Sequence, residues 1–347
     1  KRTIKLADGT SVVAELKGDE FASYWQADDG KCYVQDIDSR TFKITDKAQV
    51  VNRGLAKRQK ANDERIKRFS KRGPKREITG AFSHFTGTKK GLIILVNFKD
   101  VKFGRTHTRA MFDNIANKKG FTYSLGFKGS VKDYFLAQSN GQFELDFDVV
   151  GPYTLSQNMA YYGAHTKDGD VDAKAGHMVL EACQMADKDV NYKDYDWDGD
   201  GEVDQVFVIY AGFGEADGGS EDTIWPHESM LSASTVGKRY ETKDGVNVNT
   251  YACGNENTYD MLGRSRINGI GTICHEFSHC LGYPDLYDTN YSGNFGMGSF
   301  DLMCSGSYNG ESFCPPNYSA YEKWIAGWIT PTVLDKPASV KGMQAQD

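Results

Sequence analysis

His275, Glu276 and His279 stand in the order H-E-x-x-H, and Gly282 and Asp285 extend it to H-E-x-x-H-x-x-G-x-x-D. On a helix, residues four apart share a face, so both imidazoles can point at one ion. Glu276, one residue on, then reaches a water on that ion and can take its proton. Gly282 suits a helix end because it lacks a Cβ, and Pro284 forbids the helix from resuming. The bend returns Asp285 beneath the histidines as a third ligand, with the fourth position left to water. Three protein ligands and an open position are the zinc arrangement of hydrolases, whereas four closed ligands hold structure. The five-residue core of the motif also arises by chance in surface helices, so the two further fixed positions carry much of the argument. Asp288 and Glu311 are acidic residues that compete with Asp285 for the third place.

Elements that position these residues are legible around them. Met303 follows a Gly-rich connection (Gly293, Gly296, Gly298), where a metzincin-type Met-turn would lie under the metal. Tyr308 is the nearest candidate for an oxyanion donor, and the lone His227 is an alternative. Residues 91–98 read as a buried strand, 130–139 as a helix closed by Asn140-Gly141, and 143–150 as a strand ending at Gly151-Pro152. A long helical pattern spans 171–187, a strand 206–211 and a last amphipathic helix 319–328. The fold class expected is α+β. Residues 77–347 form a metzincin-like catalytic domain with a twisted sheet, a backing helix, the zinc-site helix and the Met-turn.

Between these elements, Asp196, Asp198 and Asp200, then Gly201, Glu202 and Asp204, follow the front of an EF-hand calcium loop. Phe207 stands where the bidentate glutamate belongs, and a strand follows in place of the second helix. So many carboxylates in nine residues repel one another without a cation, so a structural calcium ion is expected there.

Residues 1–52 alternate like short strands separated by turns such as Asp28-Asp29-Gly30, and read as a small β-rich pro-domain. Asp19 and Cys32 are its candidates for a latency ligand on the open zinc position. Residues 53–76 carry 11 Lys/Arg against Asp63 and Glu64, a net charge of +9 that leaves −15 on the rest of a chain whose total is −6. The acidic remainder argues against a nucleic-acid enzyme. The basic stretch fits a nucleic-acid arm, a solvated helix or, best, an activation linker cut by a protease with Lys/Arg specificity. No apolar run approaches membrane-spanning length. The start at Lys1 suits a secreted protein freed of its signal peptide or a trimmed chain, and a monomer is expected. Seven cysteines are an odd number, and Cys274 and Cys280 look like small buried apolar residues.

The chain resembles the immune inhibitor A family of secreted bacterial zinc metallopeptidases. The resemblance is carried by HEFSHCLGYPDLYDT at 275–289, DWDGDGEVDQVFVIYAG at 196–212 and DTIWPH at 222–227. It extends to GSVKDYFLAQSNGQF at 129–143, DVVGPYTLSQNMAYYG at 148–163, SAYEKWIAGW at 319–328 and GDEFASYW at 18–25. The resemblance implies zinc at His275 and His279, Glu276 as general base and structural calcium. It also implies synthesis as a virulence-associated zymogen acting outside the cell on protein or peptide substrates. Two other readings compete: a non-peptidase zinc hydrolase, and a calcium-dependent secreted binding module with a vestigial zinc site.

Overall fold

The computed structural model describes residues 1–71, 85–123, 126–167, 171–260 and 262–342, with side chains described up to residue 67 in the first span. The N-terminal unit is an antiparallel meander of β1 (Arg2–Lys5), β2 (Ser11–Asp19), β3 (Ala22–Ala27), β4 (Cys32–Gln35) and β5 (Phe42–Thr45). Its core gathers Ile4, Ala14, Trp25, Tyr33 and Phe42 on one face and Ala22, Tyr24, Cys32 and Val50 on the other. Val50 belongs to α1 (Lys47–Lys71), which packs on β3.

The basic stretch expected as a linker is therefore helical from residue 53 to 71, and the 52/53 boundary falls inside one helix. Residues 72–76 lie outside the described residues. The helix has little apolar periodicity to announce it. Arginines reaching other elements tie it to the second unit: Arg65 meets Glu228 at 2.6 Å, and Arg58 meets Asp285 at 2.8 Å.

The second unit begins with β6 (Gly87–Asn97), α2 (Arg109–Asn117), α3 (Val131–Gln138), β7 (Phe143–Thr154), α4 (Met159–Gly163) and α5 (Ala175–Ala186). It continues with β8 (Val206–Phe213), β9 (His227–Met230), the short pair β10 (Tyr240–Glu241) and β11 (Asn247–Val248), β12 (Thr250–Tyr259) and β13 (Ser265–Ile267). Helices α6 (Ile270–Cys280) and α7 (Ala320–Ile325) close the series. Strands β12, β8, β6 and β7 form a parallel core in that order, while β13 and β9 pair antiparallel with β12.

Parallel strands covered on both faces read as continuous apolar runs, as 92–96 and 206–211 do. Leu92, Ile94 and Val96 face α5, whereas Ile93 and Leu95 join the core under α2, α3 and α6. With helices on both faces of a mixed sheet, the layering agrees with the expected combination of helices and strands, here around a parallel core. Strand β7 also runs on past Gly151-Pro152, pairing Tyr153 with Val96 across a bulge. An edge strand tolerates a proline because one side of its backbone is unpaired.

Candidate metal centre

Helix α6 packs Ile273, Cys274 and Phe277 into the core and turns His275 and His279 to its other side, their ring centroids 4.9 Å apart. The helix ends at Leu281, and Gly282 follows at φ 95°, a left-handed conformation that a side chain would strain. That bend brings Asp285 Oδ1 to 3.4 Å from His275 Nε2 and 3.2 Å from His279 Nε2. The Nδ1 atoms face carbonyls at 2.7 Å, His275 that of Leu302 and His279 that of Tyr283. Carbonyl oxygens only accept, so each Nδ1 carries a proton and each Nε2 is turned inward toward Asp285. Burial opposes the His275 charge, but Asp285 and Glu276 outweigh it and push the imidazole up to about 9.

The donor set fits a divalent metal. Asp285 Oδ1 is buried without a hydrogen-bond donor, and it converges with two imidazole Nε2 atoms. Two imidazoles and a carboxylate suit zinc. A Glu276 carboxylate oxygen and the ring nitrogens of His275 and His279 all lie within 4.8 Å of one another. Burial pushes the Glu276 carboxyl above its usual range, against the pull of the two imidazoles. Burial alone would raise the Asp285 carboxyl too, but His279 and His275 hold it well below the usual carboxylate range.

Met303 is fully buried, and its turn supplies the Leu302 carbonyl that orients His275. Asp301 Oδ1 accepts from Met303 N at 2.7 Å and holds that turn closed. Tyr308 lines the same cleft as His275 and Glu276. Of the competing acids, Asp288 is engaged by Gly293 N, Asn294 N and Ser292 within its own loop, and Glu311 has a buried, unpartnered Oε2, whereas Asp285 is the acid paired with both histidine Nε2 atoms. His227, in β9, is held between the Trp225 carbonyl and the Tyr251 hydroxyl of β12.

Of the two expected latency ligands, Asp19 lines the cleft with His275 and Glu276, whereas Cys32 does not. Asp19 accepts from Arg58, from Tyr291 at 2.6 Å and from Phe21 N at 2.9 Å, which uses up its oxygens. Cys32 packs inside the N-terminal unit with Ala22, Tyr24 and Val50. Glu20, beside Asp19, also turns to the cleft, and both line a cavity of about 210 Å³ with His275, Glu276, Tyr287 and Tyr308. Gly18 makes the turn possible: its φ is 112°, and a Cβ there would lie 1.9 Å from the Ala22 carbonyl oxygen. Sequence reasoning missed Arg58, which bridges Asp285 and Asp19. One arginine among eleven basic residues gives no local signal of that role.

In the acidic loop, Asp196, Asp198 and Asp204 bring carboxylate oxygens within 4.8 Å of one another. Asp200 caps Glu202 N at 2.9 Å, and the Glu202 carboxylate turns to Arg239 at 3.3 Å. Three of the five expected calcium ligands thus converge.

A family model described as immune inhibitor A peptidase M6, catalytic domain, matches residues 83–329. The chain belongs to this family. The matched span begins near β6 and holds the histidine helix, the Met303 turn and the acidic loop, and leaves the N-terminal meander and all of α1 outside. Among curated relatives, the pre-pro-metalloprotease PrtV of Vibrio cholerae serotype O1 is 29% identical over 260 residues, covering 65% of this chain and 28% of that protein. Immune inhibitor A of Bacillus thuringiensis subsp. alesti is 27% identical over 313 residues, 73% of this chain and 42% of that protein. The chain thus spans less than half the length of either relative. Among the described residues no helix is long and apolar enough to cross a membrane.

Proposed function

We propose that this member of the immune inhibitor A peptidase family is a zinc-dependent endopeptidase, made as a latent proenzyme and acting outside the cell. The observation that carries the reading is the convergence of two proton-fixed imidazoles and the orphaned Asp285 Oδ1 beside the raised carboxyl of Glu276. His275, His279 and Asp285 would hold a zinc ion, which would supply acidity to a water and polarisation to the scissile carbonyl. Glu276 takes the proton of the attacking water and passes it to the departing amide nitrogen, the task for which a raised carboxyl is suited. Tyr308, across the same cleft, donates to the oxygen on which negative charge develops.

Latency follows from the N-terminal unit. Glu20 occupies the cleft, and the Arg58 guanidinium binds Asp285 and Asp19 at once, so the turn is anchored to a metal ligand. Cleavage in 53–76 by a protease with Lys/Arg specificity would detach this latch. The word "pre-pro" in the name of the Vibrio cholerae relative supports a proenzyme. Calcium in the 196–204 loop would neutralise Asp196, Asp198 and Asp204 and stiffen the start of β8.

Glu276→Gln tests the reading. The variant is expected to bind zinc at full stoichiometry while cleavage of a protein substrate by the processed enzyme falls on the order of 10²–10⁴-fold. Cleavage at an undiminished rate would remove Glu276 as the base.

A further inference from the structure

A second buried cluster lies apart from the histidine helix. His165 follows α4, Asp172 precedes α5 and Glu215 follows β8, yet one ligand atom from each lies within 4.8 Å of the others. His165 Nε2 is 2.8 Å from Glu215 Oε2. Glu215 is 1% exposed and Asp172 8%. Asp172 Oδ2 accepts from Trp225 N, while Asp172 Oδ1 is shielded from solvent with no partner at all. Glu221, 5% exposed, lines the adjoining cavity with His165 and Glu215, and its Oε2 is likewise buried without a partner.

The charge does not balance. Among the described residues no Lys or Arg forms an ion pair with Asp172, Glu215 or Glu221. A single imidazole does not neutralise three ionised carboxylates, and the donors from Trp225, Ser23 and Trp25 still leave Asp172 Oδ1 and Glu221 Oε2 buried and unpartnered, which is costly. A cation resolves both deficits, because it supplies charge and accepts the orphaned lone pairs. An imidazole with carboxylates and no thiolate suits a borderline divalent ion such as zinc or manganese better than an all-oxygen calcium site. The cavity of about 350 Å³ beside His165, Glu215 and Glu221 supplies an entry path.

We propose that His165, Asp172 and Glu215, with Glu221 beside them, form a second site for a divalent transition-metal ion, distinct from the histidine-helix centre. The site lies at the seam between the two units. Ser23 donates to Glu215 at 3.3 Å and Trp25 Nε1 to Glu221 at 2.7 Å, both from β3. On its other side, Asp172 holds the backbone of Trp225, which with Pro226 lines the catalytic cleft. An ion here braces the cleft wall and the surface on which the N-terminal sheet docks.

The test uses the full chain carrying His275→Ala and His279→Ala, which removes the first centre, in buffer with excess calcium to saturate the acidic loop. Apo protein is titrated with manganese or zinc, and bound metal is counted by elemental analysis after gel filtration. One retained equivalent is expected, with its affinity lowered at least on the order of 100-fold by Asp172→Asn or, separately, His165→Asn. Thermal unfolding gives a second readout. Metal should raise the midpoint of the parent chain and leave that of each variant unmoved. Retention of no metal by the parent, or equal retention by parent and folded variants, overturns the proposal. Anomalous scattering at the manganese edge from crystals of the unsubstituted chain decides the matter if both variants fail to fold.

Discussion

Glu322→Gln probes how the Met303 turn is held. Glu322 Oε2 accepts from Ser319 N and Ser319 Oγ in the capping box of α7, while its Oε1 is buried with no partner. Asp301 Oδ2, nearby, is also buried with no partner. A proton shared between the two carboxyls satisfies both atoms. Burial, and then the Asp301 charge, push the Glu322 carboxyl up to about 7 from an ordinary 4.5. Below about pH 4.5 the folded and unfolded chains both hold this proton, so its full stabilising effect is present. Between 4.5 and about 7 only the folded chain keeps it, and stability is lost as pH rises through that window. At about 1.4 kcal/mol per pH unit, the loss amounts to ~3 kcal/mol by pH 8. Glutamine donates to Asp301 and accepts from Ser319 at every pH. The variant should therefore match the parent near pH 4.5 and exceed it by up to ~3 kcal/mol at pH 8, as read by urea unfolding of the two chains side by side. The comparison cancels contributions from every other titrating group. A difference that stays flat from pH 5 to 8 would refute the shared proton. Because Asp301 also caps Met303 N, the variant tests the support beneath His275 as well.

Three further outcomes are expected. Arg58→Ala leaves Asp285 and Asp19 without their guanidinium, a loss on the order of 3–5 kcal/mol for a buried pair; amide exchange at 18–21 and cleavage of a small peptide by the uncut chain should both rise, and unchanged values would discard the latch. Gly282→Ala forces a side chain to φ 95° at the end of α6 and should cost ~1–2 kcal/mol, seen as a lower unfolding midpoint with weaker zinc binding. Calcium should raise the unfolding midpoint of the parent chain and leave Asp198→Asn unmoved, measured by calorimetry with zinc held constant.

The local chemistry was legible in the chain because helices and turns translate spacing into geometry. His275 and His279 share a face by period, and Gly282 and Pro284 dictate a bend, so Asp285 was expected where it lies. The apolar runs 92–96 and 206–211 announced strands covered on both sides, and the spacing of Asp196, Asp198 and Asp204 announced a loop in which their carboxylates converge. Contacts between distant segments had no such signal. Arg58 meets Asp285 across 227 residues, and Asp19 and Glu20 line the cleft while Cys32 does not, because the docking of two units decides which tight turn faces the histidines. His165, Asp172 and Glu215 share no motif; they meet because α4, α5 and β8 stack around one sheet. Residue spacing decides what neighbours along one helix or turn can do together, while burial of the sheet's two faces decides which strangers in the chain become neighbours.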